Sequence, residues 1–135
     1  MAQLNPYLLF TGKCREAMTF YQSCLGGELS IMTFGESPMA DQVPAEHRDN
    51  VLHSMLAAEG ITLMAADLMP GVTAPEGGRV TLCLNSRDKA EIRAYFDKLS
   101  AGGNVTMPLD EAFFGLFGEL TDRFGMNWMF QAGQV

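Results

Sequence analysis

The sequence predicts an α+β fold built from one βαβββ unit written twice, and three observations carry that prediction. An apolar run, a polar joint and a helix bearing an aromatic pair occur near the start and again past the middle. Each helix closes on Gly-Gly, and each is followed by three further strand-like runs. One helix covers only one face of a four-stranded sheet, so neither half closes a core alone. Two paired modules, curved into a half-open, barrel-like mixed sheet, would leave a concave trough, the usual place for a ligand.

In the first half, Tyr7-Leu-Leu-Phe10 reads as a strand, and Ala17, Phe20, Tyr21, Cys24 and Leu25 recur at helical spacing before Gly26-Gly27. Glu28 to Phe34, Val51 to Ala58 and Ile61 to Ala66 follow, the last two joined by the hairpin signal Glu59-Gly60. In the second half, Val80 to Leu84 reads as the strand. Ile92, Tyr95, Phe96 and Leu99 form the helix stripe, and Gly102-Gly103 is its stop. Asp88 with Glu91 three residues on resembles a capping box. Asn104 to Met107, Leu116 to Thr121 and Met126 to Gln131 complete the unit, with Asp122-Arg-Phe-Gly125 as a type I turn. The whole chain, 1–135, is therefore one domain, with module one at about 4–67, a Pro/Gly-rich linker at about 68–78 and module two at about 79–132. Gly35 to Asn50, with Pro38 and Pro44, reads as a long loop.

Composition narrows the function. The chain is 47% hydrophobic and 19% charged, ordinary for a globular domain, and no run is long enough to span a membrane. A formal net charge of -7 without a basic cluster disfavours nucleic acid. Three cysteines without CxxC spacing argue against a disulfide scaffold, and with no signal-peptide pattern at Met1 to Pro6 they predict a cytoplasmic protein. Ten methionines read as soft core filler or as an adaptable pocket wall.

Among chemistry-bearing residues, His53 lies on a strand. It reads as a general base, a lone ligand or a histidine satisfied by the backbone. Glu119 is an acid in mid-strand that faces either water or a polar cavity, and Gly118 beside it permits close approach of another backbone or a ligand. Cys14 begins a helix whose dipole favours thiolate, yet no base or oxyanion hole accompanies it. Cys24 and Cys83 read as core. The aromatic stretch Phe113-Phe114-Gly115-Leu116-Phe117 suits either a trough rim or a dimer contact. Trp128 and Met129 suit either core or a trough wall.

Pro6-Tyr-Leu-x-Phe10-x-Gly12 with Glu16-Ala17 and Phe20-Tyr21 resembles the opening of glyoxalase/bleomycin-resistance-like proteins of the vicinal-oxygen-chelate superfamily. Phe34-Gly-Glu-x-Pro38, Met64-x-x-Asp67-x-Met69-Pro70 and Thr121-Asp-x-Phe-Gly125-x-x-Trp128-Met129 resemble the PhnB-like branch in particular. The resemblance implies paired βαβββ modules, a homodimer and a trough that holds a divalent metal in many members. Metal-using relatives carry His or Glu at positions that correspond here to Pro6 (or Asn5), Thr62, Arg79 and Met129. These are not a ligand set, since a catalytic divalent site needs about three N/O protein ligands. No cofactor is therefore expected, and a divalent metal would have to sit at other positions. Related sequences labelled demethylubiquinone methyltransferase-like raise S-adenosylmethionine, but its glycine motif is absent from this sequence.

The expected function is binding of a small organic ligand in the trough, with Tyr7, His53, Met64, Phe114, Phe117, Glu119 and Trp128 as ligand contacts and a homodimer as the working form. The alternative is an enzyme, a lyase, isomerase or related, acting in the trough through His53 and/or Glu119, with or without a metal. A third reading makes Gly35 to Asn50 an arm for a protein partner.

Overall fold

Tyr7–Phe10 (β1) alternates exposed and buried side chains and feeds directly into Cys14–Leu25 (α1). The computed structural model describes residues 3–73, 80–112 and 115–133. After α1 come Glu28–Thr33 (β2), Val51–Ala58 (β3) and Ile61–Asp67 (β4). The second series is Leu82–Ser86 (β5), Lys89–Leu99 (α2), Asn104–Ala112 (β6), Gly115–Thr121 (β7) and Asn127–Ala132 (β8). The chain divides into two units, Met1–Pro75 and Glu76–Val135, and among the described residues each unit holds one four-stranded mixed sheet and one α-helix.

Both sheets share one topology. The orders are β1-β4-β3-β2 and β5-β8-β7-β6, in which the first and last strands of each unit pair in parallel and the other pairings are antiparallel. The duplication read from the sequence is thus a duplication of strand order.

In the first unit α1 packs on β2, β3 and β4. Its buried side chains are Cys14, Ala17, Met18, Tyr21, Cys24 and Leu25, and they meet Leu8, Phe10, Leu56, Leu63 and Ala65 of the sheet. In the second unit Ile92, Phe96 and Leu99 of α2 face Leu116, Leu120, Trp128 and Phe130, with the Phe96 and Phe130 rings edge-on at 5.0 Å. Each fully buried large apolar side chain contributes about 1.5–3 kcal/mol, so these two layers are where the stability of each unit lies. Each expected aromatic pair splits. Tyr21 and Phe96 are buried while Phe20 and Tyr95 sit at the helix margin, and Met18 takes the stripe position expected of Phe20.

Asp88 caps α2 by accepting from the Ala90 and Glu91 amides at 2.9 and 3.3 Å. The reciprocal arm of the capping box goes elsewhere, since the Glu91 carboxylate accepts from the Ser86 hydroxyl at 3.5 Å and the Asp88 amide donates to that same hydroxyl at 3.0 Å. Gly26 and Gly27 both take positive φ after α1, as a helix stop requires. The expected turn at Asp122 to Gly125 closes with the Gly125 amide donating to the Asp122 carbonyl at 3.0 Å.

Several boundaries differ from the sequence reading, and three of the differences have structural consequences. β5 begins at Leu82 and runs through Ser86, so the polar Asn85-Ser86 belongs to the strand. β6 continues past Met107 to Ala112, with Pro108 accommodated at a register shift on the sheet's outer strand, where a missing N–H costs no ladder bond. β4 extends to Asp67, whose buried carboxylate accepts from the amides of Cys14 at 3.0 Å and Val51 at 2.9 Å. That one side chain pins the start of α1 and the start of β3 to the end of β4.

Candidate functional site

Strand alternation gives each sheet a second face, turned away from its helix. In the first unit the Cys14 contacts with Asp67 and with Ser54 (Sγ to Oγ, 3.5 Å) assign those two residues to the helix side. The alternate residues then occupy the other face: Tyr7 and Leu9 of β1, Thr62 and Met64 of β4, His53 and Met55 of β3, and Met32 of β2. The cross-strand pairs there are Tyr7 with Met64, Met64 with Met55, and Met32 with His53. The face is apolar and accessible: His53, Met55 and Met64 are half-buried, and Tyr7 and Met32 are exposed.

The chief polar contact on this face joins two residues expected as ligand contacts. Tyr7 reaches over β4, and its hydroxyl lies 2.9 Å from Nδ1 of His53, with the rings 5.7 Å apart. Burial, with a smaller contribution from the charge of Cys14, raises the Tyr7 pKa above its ordinary value, so the phenol remains protonated at neutral pH. In the Nδ1–H tautomer the imidazole donates to the phenol oxygen, and the Nε2 lone pair is presented for a ligand or a proton. His53 is therefore satisfied by a side chain, not by a backbone carbonyl.

In the second unit the corresponding face carries Cys83 and Asn85 of β5, Met129 and Gln131 of β8, Phe117 and Glu119 of β7, and Met107 of β6. Glu119 is half-buried with Met107 and Met129 as its cross-strand neighbours. Cys83, expected in the core, is exposed on this face because it alternates with Leu82 and Leu84, which share the side of buried Trp128 and Phe130. Trp128, expected as a ligand contact, lies on the opposite face, buried beneath α2, and its indole N–H donates to the Asp122 carboxylate at 2.8 Å. Phe114, with Phe113, lies outside the described residues. Gly118 does permit close approach: a Cβ there would stand 2.9 Å from Leu109 Cα and 3.1 Å from the Phe96 ring.

The sequence reading named Tyr7, His53 and Met64 without joining them, and it passed over Met32 and Met55. The alternation His53-Ser54-Met55 carried the signal for Met55. Placing Met32 opposite His53 required the strand register, which sequence alone did not supply.

The comparisons with known proteins bear on this frame. Residues 2–131 match the family described as 3-demethylubiquinone-9 3-methyltransferase. The chain belongs to that family. The Escherichia coli protein YjdN is 37% identical over 136 residues, covering 93% of this chain and 92% of that protein. A crystal structure of a Pseudomonas aeruginosa protein is 39% identical, with full coverage of both chains and a TM-score of 0.88. A Bacillus cereus structure titled as a putative 3-demethylubiquinone-9 3-methyltransferase, PhnB protein, is 26% identical with a TM-score of 0.76, over 97% of this chain and 99% of that one. The PhnB-like resemblance read from the motifs and the family match therefore coincide. A Listeria monocytogenes fosfomycin resistance protein, 12% identical with a TM-score of 0.65 over 100% of this chain and 95% of that one, shares the fold alone.

Two groups associated with such proteins can be tested against the residues of this 3-demethylubiquinone-9 3-methyltransferase family member. Among the described residues no three His, Cys, Asp or Glu side chains gather in a metal-binding group. The helix-free faces of β1 and β4 offer a phenol, a hydroxyl and apolar side chains, which do not suit a divalent ion held by N/O ligands. The family description also names a methyl transfer. The nucleotide-type methyl donor S-adenosylmethionine is expected to bind at a glycine-rich turn between consecutive parallel strands, and among the described residues these sheets, each with a single parallel pair, provide no such turn.

Proposed function

We propose that this chain is a small-molecule binding protein of the glyoxalase/bleomycin-resistance-like superfamily. Its ligand, small and partly apolar, lies against the helix-free face of the first sheet, with Met55, Met64 and Tyr7 as apolar contacts and His53 as the polar anchor. The observation that carries this reading is the Tyr7–His53 hydrogen bond, a fixed polar pair on a largely apolar, accessible face. Ligand sites commonly have that make-up. Phe117 and Glu119 lie on the equivalent face of the second sheet, where they are candidate contacts of that unit taken by itself.

The test is a screen of neutral aromatic fragments read by amide NMR shifts. Shifts should concentrate on β1, β3 and β4 around Tyr7, His53 and Met64. Removing the phenol hydroxyl in Tyr7→Phe should weaken the best fragment by roughly 2- to 10-fold, the worth of one hydrogen bond. Shifts confined to α1 or to residues 35–50 would refute the assignment.

The same contact favours a second reading, an enzyme in which His53 Nε2 is the general base and Tyr7 holds the ring, with Glu119 an alternative acid–base group. An enzyme would lose about 100-fold or more in turnover on His53→Ala. A binding protein would lose only the affinity of one anchor.

In either case we read the working form as a cytoplasmic homodimer. Exposed Val105 and Met107 on the outer strand β6 and three free cysteines support that reading. Native mass spectrometry should give twice the 14.8 kDa chain mass.

A further inference from the structure

The helix-free face of the first sheet gathers soft donors in a way that an apolar wall does not require. Met32, Met55 and Met64 bring three thioethers, and His53 brings an imidazole. Met55 stands opposite Met64, and His53 stands opposite Met32. Directly opposed residues have Cβ atoms roughly 4.5–5.5 Å apart, and His53 and Met55, two apart on one strand, are separated by about 6.6 Å. These spacings lie within the reach of unbranched methionine side chains.

The second observation is independent of the methionines. Nδ1 of His53 is already held at 2.9 Å by the Tyr7 hydroxyl, which leaves Nε2 as the free nitrogen on the same face. A metal-ligating histidine characteristically has its other ring nitrogen fixed by an oxygen partner in this manner. Thioether sulfur is a poor donor for the divalent ions that oxygen-rich sites take, and it selects soft ions such as Cu(I). The three N/O ligands whose absence disfavours a divalent ion are not needed here.

We propose that Met55, Met64 and Nε2 of His53, with Met32 at the rim, form a binding site for one soft monovalent metal ion, of which Cu(I) is the type. The Tyr7 hydroxyl acts as a positioning group that sets the imidazole tautomer. The site stands on these side chains and holds whether or not the face also takes an organic ligand.

The experiment titrates the purified full chain with Cu(I) under oxygen-free, reducing conditions, in competition with a colorimetric Cu(I) chelator. One Cu(I) per chain should bind. Met55→Leu and Met64→Leu, near-isosteric changes that preserve packing, should each weaken binding at least tenfold. Tyr7→Phe should weaken it about tenfold, as loss of an outer-shell partner does. Met107→Leu, which changes an exposed sheet methionine in the second unit, should leave binding unchanged. On Cu(I) addition the wild-type methionine ε-methyl NMR signals of Met32, Met55 and Met64 should shift, while that of core Met18 stays in place. The proposal is overturned if no one-to-one binding competes with the chelator. It is equally overturned if Cys83→Ser abolishes binding while Met55→Leu and Met64→Leu retain it, which would assign the ion to the exposed thiol.

Discussion

At the scale of single residues, Cys14 shows two effects in opposition. As the first residue of α1 it sits where the helix dipole favours thiolate. Burial dominates, and with the nearby Asp67 charge it pushes the thiol up to about 11, against the lowering effects of the Ser54 hydrogen bond and of Arg15. Because the folded value lies above the ordinary 9.0, the unfolded chain ionises first, so this group's contribution to stability is lost between about pH 9 and pH 11. A disulfide-exchange reagent at pH 8 should therefore modify Cys83 alone in the native protein, and Cys14 and Cys24 only after denaturation. Rapid native reaction at Cys14 would contradict the burial argument. The sequence showed the dipole at Cys14, but its burial depends on Ser54 and Asp67, 40 and 53 residues away in the chain. The same holds for Trp128, where strand alternation gave two possible faces and the contact with Asp122 belongs to one of them.

At the scale of elements, the helix stops carry more than local conformation. Gly27 takes φ +92°, and a Cβ there would collide with the Ala57 carbonyl oxygen and stand 2.7 Å from Ala58 Cβ. β2 therefore begins alongside β3 only because this residue lacks a side chain. Gly27→Ala should destabilise the protein by about 2–4 kcal/mol, through a strained backbone and a clash with a main-chain atom, measured as a shift in the urea midpoint. Gly26→Ala, with the same sign of φ but nothing within 4 Å, should cost only about 1 kcal/mol. The glycines, the two helix stripes and the hairpin at Gly60 were legible in the sequence because each is set by residues a few positions apart. The extent of β6 was not, since Pro108 is a local stop signal that an outer strand overrides.

At the scale of the whole molecule, the repeat was the most legible feature, because apolar periodicity and Gly-Gly stops recur in the same order in both halves. Its two copies have diverged where function is expected to lie. The first sheet's helix-free face carries Tyr7, His53 and three methionines, while the second carries Glu119, Gln131, Asn85 and an exposed thiol. The family was legible from the motifs, since four short patterns in order suffice for membership. The arrangement on the face was legible only residue by residue, because its partners come from four strands whose register the sequence does not state.

The long loop between β2 and β3 is held far more tightly than its polar composition suggests. Phe34, Ser37 and Val43 are buried, and Nε of Arg48 donates to the carbonyls of Ala40 at 3.0 Å and Val43 at 3.2 Å. A protease must draw an extended segment of several residues into its cleft, and here that would mean releasing the guanidinium clasp and uncovering Phe34 and Val43. The peptide bond after Arg48, accessible by its sequence, should resist trypsin under native conditions, while Arg48→Lys, which cannot reproduce the clasp, should open it to cleavage. A stretch that reads as a digestion site is, by this construction, one of the chain's protected segments.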